Sequence, residues 1–148
     1  MPSGPSSFRP RTLARGGEGH EGAGGEIDYR LTRQALVSEF RKGRIAQHEV
    51  CDAHPELRRV AAEYGAPTSQ TCPICEEQPL VLVTFVFGPR LPAHGRCLTM
   101  RGELAKITRG GGTYGCYVVE VCTGCWWNHL ARSFVVDGQP TASTRAQS

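Results

Sequence analysis

Two Cys-x-x-Cys turns, Cys72-Pro73-Ile74-Cys75 and Cys122-Thr123-Gly124-Cys125, constrain this chain more than any other feature. Each turn holds two sulfurs close enough to share one ion. Two such turns supply four thiolates, the tetrahedral soft-ligand set that zinc favours. Pro73 stiffens the first turn, and Gly124 lets the second close tightly with an N–H free to point at sulfur. The first pair stands just before a strand-like run and the second lies between two of them. That is the layout of a zinc ribbon, in which a small antiparallel sheet holds two knuckles. Cys72, Cys75, Cys122 and Cys125 are therefore the expected ligands of a structural Zn2+ ion. One feature is out of pattern: 46 residues separate Cys75 from Cys122, where paired knuckles usually lie about 15–20 residues apart. The excess reads as an insertion in a ribbon loop, which adds little closure entropy.

Other uses of these thiols fit less well. A redox dithiol normally follows a strand and opens a helix, whereas Pro79 and a β-rich run follow Cys75 and a second pair is present. Iron–sulfur ligation is the remaining metal alternative. A catalytic zinc keeps an open position, and four cysteines leave none. The total of seven cysteines is odd, and no export signal is evident, so a disulfide framework is not expected. His129 and Cys116 are alternative ligands. Cys116 shares strand parity with Val118 and Glu120 and so packs or faces solvent, and His129 reads as a satisfied polar residue. Cys51 and Cys97 read as plain thiols, with Cys51 placed to pack helices near the site. Asp52 or His54 could cap the helix that follows, and the two resemble a catalytic pair only superficially, a cap and a surface histidine being the simpler reading.

The rest of the chain divides by composition. Residues 1–25 are mostly Gly, Ser, Pro and Arg and read as a disordered tail, as do residues 138–148. Residues 26–66 read as helical. Ile27, Leu31, Ala35, Leu36 and Phe40 place a helix over 26–42, and a further turn or two follows near 47–51. Leu57, Val60, Ala61 and Tyr64 mark a helix that opens at Pro55 and stops at Gly65. Residues 67–137 form the zinc-ribbon-like β region, with strands expected over 80–87, 114–121 and 130–136. A short helix is expected over 103–107, and Gly110-Gly111-Gly112 is a flexible break. The expected class is α+β, with N-terminal helices packed on a small antiparallel sheet.

The formal charge is +3, from 17 Lys plus Arg against 14 Asp plus Glu, too mild to mark a polyanion-binding surface. Four thiolates around one divalent ion would lower it to about +1. The run 80–87 is far shorter than the roughly 18 apolar residues of a membrane span. The chain is expected to be soluble and cytoplasmic. Trp126 and Trp127 are adjacent, so a strand would turn one ring inward and one outward. The outer ring could stack on a base or anchor a partner, with Arg132 beside it. Both rings could instead shield the metal turn.

Four stretches together carry a resemblance. They are Val50-Cys51-Asp52-Ala53-His54-Pro55-Glu56-Leu57, the Cys72-Pro73-Ile74-Cys75 pair, Val83-Thr84-Phe85-Val86-Phe87-Gly88, and the run from Tyr117 through Cys122-Thr123-Gly124-Cys125-Trp126-Trp127-Asn128-His129 to Leu130. The chain resembles, over about 26–137, an uncharacterised family of small actinobacterial proteins, a domain of unknown function. The Gly-rich segment 89–113 departs from it. The resemblance implies a cytoplasmic protein with a helical N-terminal part and a ribbon-like cysteine set, and it implies no activity.

The function expected on these grounds is a non-catalytic zinc-ribbon binding module for a protein or nucleoprotein partner. Association with transcription or translation machinery follows only by analogy of fold. The alternatives are a protein–protein adaptor whose zinc is purely structural and a thiol redox protein. No nucleophile elbow, phosphate loop or His-rich metal motif points to an enzyme.

Overall fold

The computed structural model describes residues 20–21 and 25–138. In chain order its elements are β1 (His20–Glu21), β2 (Ile27–Asp28), α1 (Arg30–Arg41), α2 (Gln47–Val50), α3 (Pro55–Tyr64), β3 (Ala66–Thr71), β4 (Pro79–Phe87), β5 (Arg96–Cys97), α4 (Glu103–Thr108), β6 (Gly112–Cys122) and β7 (Asn128–Gly138). The class is α+β, as expected. All strand pairings are antiparallel, in the order β1-β2-β7-β6-β4-β3, with β5 also paired to β4. The sheet is larger than the small one expected. The residues between the two cysteine pairs are not a loop insertion, because they build the long central strands β4 and β6. Their β-branched and aromatic content suits strands buried on both faces.

Alternation along the central strands sorts the core. Val83 and Phe85 of β4 and Val119 and Val121 of β6 face α3, where Leu57, Val60 and Ala61 are buried against them. The opposite parity carries two further clusters. Leu80, Cys122 and Trp127 pack with Val37 of α1 and Val50 of α2 at the cysteine end. Val86, Tyr114 and Cys116 form the other, against Leu104 and Ile107 of α4 at the far end. Helices therefore cover both faces, and the segment joining α2 to α3 passes round the end of the sheet where the cysteine turns lie.

Several boundaries differ from the expectations. The helix expected from residue 26 begins at Arg30, because Ile27 pairs with Ser133 and packs on the α3-side core. Asp28 then accepts the Arg30 N–H at 2.8 Å and opens the helix. Residues 66–71 form the edge strand β3, although their composition carries no strand signal. They are almost wholly exposed and are held by pairing to β4 and by the Thr68 hydroxyl, which donates to the Leu80 carbonyl at 2.8 Å. Pro67 and the polar side chains blunt that edge against further pairing. Gly112, expected in a flexible break, opens β6. Within the segment expected as an N-terminal tail, His20–Glu21 pairs with β2. The rest of residues 1–24 and residues 139–148 lie outside the described residues.

Candidate metal centre

The β4–β6 register places both cysteine turns at one end of the sheet. Leu80 lies opposite Cys122 and Val81 opposite Val121. The turn that leads into β4 and the turn that leaves β6 are thus side by side. All four sulfurs of Cys72, Cys75, Cys122 and Cys125 lie within 4.8 Å of one another. The Cys72–Cys125 and Cys75–Cys122 sulfurs are 3.7 Å apart. A tetrahedron with metal–sulfur bonds of about 2.3 Å has edges of about 3.8 Å. The donor set and its spacing fit one soft tetrahedral ion.

The two turns are built alike. Cys72 Sγ accepts the Ile74 N–H at 3.3 Å, and Cys122 Sγ accepts those of Gly124 at 3.3 Å and Cys125 at 3.4 Å. The Glu76 N–H donates to the Cys72 carbonyl at 3.0 Å and the Trp126 N–H to that of Cys122 at 2.9 Å. The residue after the second cysteine of each pair is left-handed, Glu76 at φ 59° and Trp126 at φ 74°. Such N–H groups orient thiolates and favour their charge. Gly124 also permits a close approach between the turns, since a Cβ there would lie 2.5 Å from Gln78 Cγ.

Without an ion the four thiols are unequal. Burial pushes Cys72 well above the ordinary thiol range, and its backbone hydrogen bonds only partly offset this. Burial likewise pushes Cys125 up to about 12. Burial also works against ionising Cys75, but the N–H groups of Gln78 and Glu77 and the neighbouring Cys122 and Cys72 thiols outweigh it, lowering that group to about 7. Cys72 and Cys122 are buried, and Cys75 and Cys125 are half-buried.

A fifth sulfur joins them. Cys51, at the end of α2, donates its S–H to Cys125 Sγ at 3.4 Å. Burial raises its pKa from the ordinary thiol value, and the Cys125 hydrogen bond offsets part of that. The Ala53 N–H reaches the Trp126 carbonyl at 3.3 Å, which fastens the 51–54 segment over the second turn. The sequence reading placed Cys51 near the site as packing only. A single cysteine outside any Cys-x-x-Cys spacing carries no ligand signal.

The remaining candidates separate. Trp127 is fully buried, and its Nε1 donates to Glu120 Oε2 at 2.8 Å, so this ring belongs to the core and is withdrawn as a partner-binding residue. The Arg33 Nε of α1 donates to the same oxygen at 2.6 Å, tying that helix to the sheet behind the cysteines. Sequence reasoning missed this link, because nothing local marks residues 87 apart as partners. Trp126 is half-buried, with the Arg58 guanidinium 5.3 Å above its ring. Arg132 sits along β7 opposite Val118, over the Phe134 ring and 3.9 Å from Glu26, and does not join the cysteine turns. His129 is buried, stacked on Trp127 with its Nδ1 2.7 Å from the Leu130 carbonyl, and stands outside the sulfur cluster. Cys116 is buried in the far cluster. His54 caps α3 by accepting the Glu56 N–H at 3.1 Å, while Asp52 accepts from Asn128 Nδ2 at 3.1 Å.

Among the described residues, no helix is long and apolar enough to cross a membrane. No solved structure matches the chain. Uncharacterized proteins from two strains of Mycobacterium tuberculosis and from Mycobacterium bovis are each 41% identical over 110 residues, covering 74% of this chain and 80% of the relative. Residues 23–148 match DUF5318, described as a family of unknown function, and the chain belongs to that actinobacterial family.

Proposed function

We propose that this protein is a non-catalytic binding module whose knuckle end is stapled by one structural zinc ion. The observation that carries this reading is the convergence of four sulfurs within 4.8 Å at the tips of two like-built turns. A saturated four-thiolate set leaves no position for a metal-bound water, so it suits a structural better than a hydrolytic ion. The paired knuckles keep the local character of a zinc ribbon, set here at the end of a larger sheet. The module's role would be to present its surface to a protein or nucleoprotein partner in the cytoplasm, with transcription or translation machinery the class that ribbon analogy suggests. The burial of Trp127 removes one of the two stacking rings and favours a protein contact over direct binding of nucleic acid. Elemental analysis of protein purified without added metal tests the staple, with one zinc per chain expected and none in Cys122→Ser. Partner capture from lysate, with and without nuclease, tests the rest. Retention of the partner after nuclease supports protein docking, and its loss points to nucleic acid.

A further inference from the structure

Five sulfurs meet at the knuckle end, and four-coordinate binding uses four. Cys51 stands beside the ligand set without belonging to it. Its sulfur is 3.4 Å from that of Cys125, closer than the 3.7 Å of the Cys72–Cys125 and Cys75–Cys122 pairs. Access is uneven. Cys72 and Cys122 are buried, whereas Cys51, Cys75 and Cys125 are partly open to solvent. Cys125 is therefore a solvent-reachable ligand with a non-ligand thiol held against it.

We propose that Cys51 and Cys125 form a peroxide-reactive pair: a hydroperoxide oxidises Cys125, and Cys51 resolves it as a disulfide that withdraws Cys125 from the metal. The inference rests on the four-cysteine metal reading. In the first step the Cys125 sulfur attacks one peroxide oxygen. An S–O bond forms from a lone pair of the Cys125 thiolate, the O–O bond breaks, and the other oxygen leaves as hydroxide or alkoxide, which is protonated by a buffer acid in solution. In the second step the Cys51 sulfur attacks the sulfenic sulfur of Cys125. An S–S bond forms, the S–O bond breaks, and the hydroxyl leaves as water with the Cys51 proton. The two sulfurs lose two electrons in all, and the peroxide gains them.

The geometry favours Cys51 over the other sulfurs as the resolving group. A disulfide brings its sulfurs to about 2.05 Å, so this pair must close by about 1.4 Å. Residue 51 caps a four-residue helix and carries none of the N–H···S bonds that shape the two turns, so its sulfur can close on Cys125 without breaking them. Cys72 is the competitor at 3.7 Å, but it is buried and is itself a ligand, so its attack would break a second metal–sulfur bond. Once Cys125 is withdrawn only three thiolates remain, and the ion's hold weakens.

The test uses the full chain with its metal content measured first. Hydrogen peroxide is added, metal release is followed with a chromogenic chelator, and unreduced peptides are mapped by mass spectrometry. The expected result is loss of the bound metal together with a Cys51–Cys125 cross-linked peptide, both reversed by thiol reductant and fresh metal. Cys51→Ser keeps a hydroxyl facing Cys125 and is expected to bind metal normally before oxidation. After peroxide it yields no such peptide. Instead it accumulates sulfenic and sulfinic acid on Cys125, so metal rebinding after reduction falls to under about half of the wild-type recovery. A disulfide between two of the four ligands, formed in equal yield in wild type and Cys51→Ser, overturns the proposal, as does metal release with no disulfide. If wild-type protein holds no metal, the four-cysteine reading fails separately, and the cross-linked peptide alone decides for or against the pair.

Discussion

Glu120 is a carboxylate buried to 4% exposure, and one of its oxygens receives both the Arg33 Nε and the Trp127 Nε1. A buried charge that loses its partner is more damaging than a pair removed together. Glu120→Ala would strand the Arg33 guanidinium and the indole N–H at once, so we expect a loss of about 3 kcal/mol by urea unfolding. Glu76 behaves in the opposite sense. It is exposed and sits at φ 59°, a region that is unfavourable for a residue with a Cβ by about 1 kcal/mol. Glu76→Gly should leave metal content unchanged and raise the unfolding free energy by up to about 1 kcal/mol. The thiols set a pH dependence of their own. Because Cys72 and Cys125 are held protonated at neutral pH by burial, the proposed zinc ion would displace at least those two protons. Apparent affinity should then fall at least about 100-fold for each pH unit of acidification near neutrality. Competition titrations at several pH values read this slope, and a flat profile would mean the thiolates are pre-formed.

Each element shows a different balance of local and distant causes. The helix α3 was legible residue by residue, since His54, Pro55 and the Leu57, Val60, Ala61 stripe are all local signals. The four sulfurs were legible too, because the Cys-x-x-Cys spacing reports a turn that brings its own ligands together. The strands β2 and β3 were not legible, because their strand character comes from their neighbours and not from their own side chains. The contact of Cys51 with the Cys125 sulfur was not legible for the same reason, although its place near the site was, because that contact depends on the 51–54 segment crossing the second turn. The short α4 lies between these cases. Its anchor is Glu103, whose carboxylate accepts the N–H groups of Thr99 at 2.8 Å and Met100 at 3.2 Å and the Arg96 Nε at 2.7 Å. Burial works against that carboxylate, but these donors outweigh it and hold its pKa below the ordinary value. A depressed folded-state pKa contributes stability that is present above the unfolded value of about 4.3 and is lost as pH falls through the folded value. Glu103→Gln should therefore lose about 1–3 kcal/mol at pH 7 and show a shallower decline below about pH 4. Thermal melts across that range separate the two chains.

At the scale of the molecule, the apolar clusters divide the work unequally. Only one of them contains the cysteine turns, while the α3 face and the α4 end are built without them. Removing the proposed ion should therefore loosen one end of the sheet and leave the rest in place. We expect chelation to abolish hydrogen-exchange protection at residues 72–78, 122–127 and 47–53, with the middle of β4 and β6 still protected. Uniform loss of protection would mean that the ion supports the whole domain. The register that pairs Leu80 with Cys122 has a consequence for how the chain assembles. The first turn emerges during synthesis well before the second, and it cannot complete a tetrahedral set alone. A slip of one residue between the central strands would shift one turn by about 3.3 Å and flip its side chains to the other face. Such a misaligned strand pair could not hold the proposed cation, so its capture would come late and would proofread strand alignment.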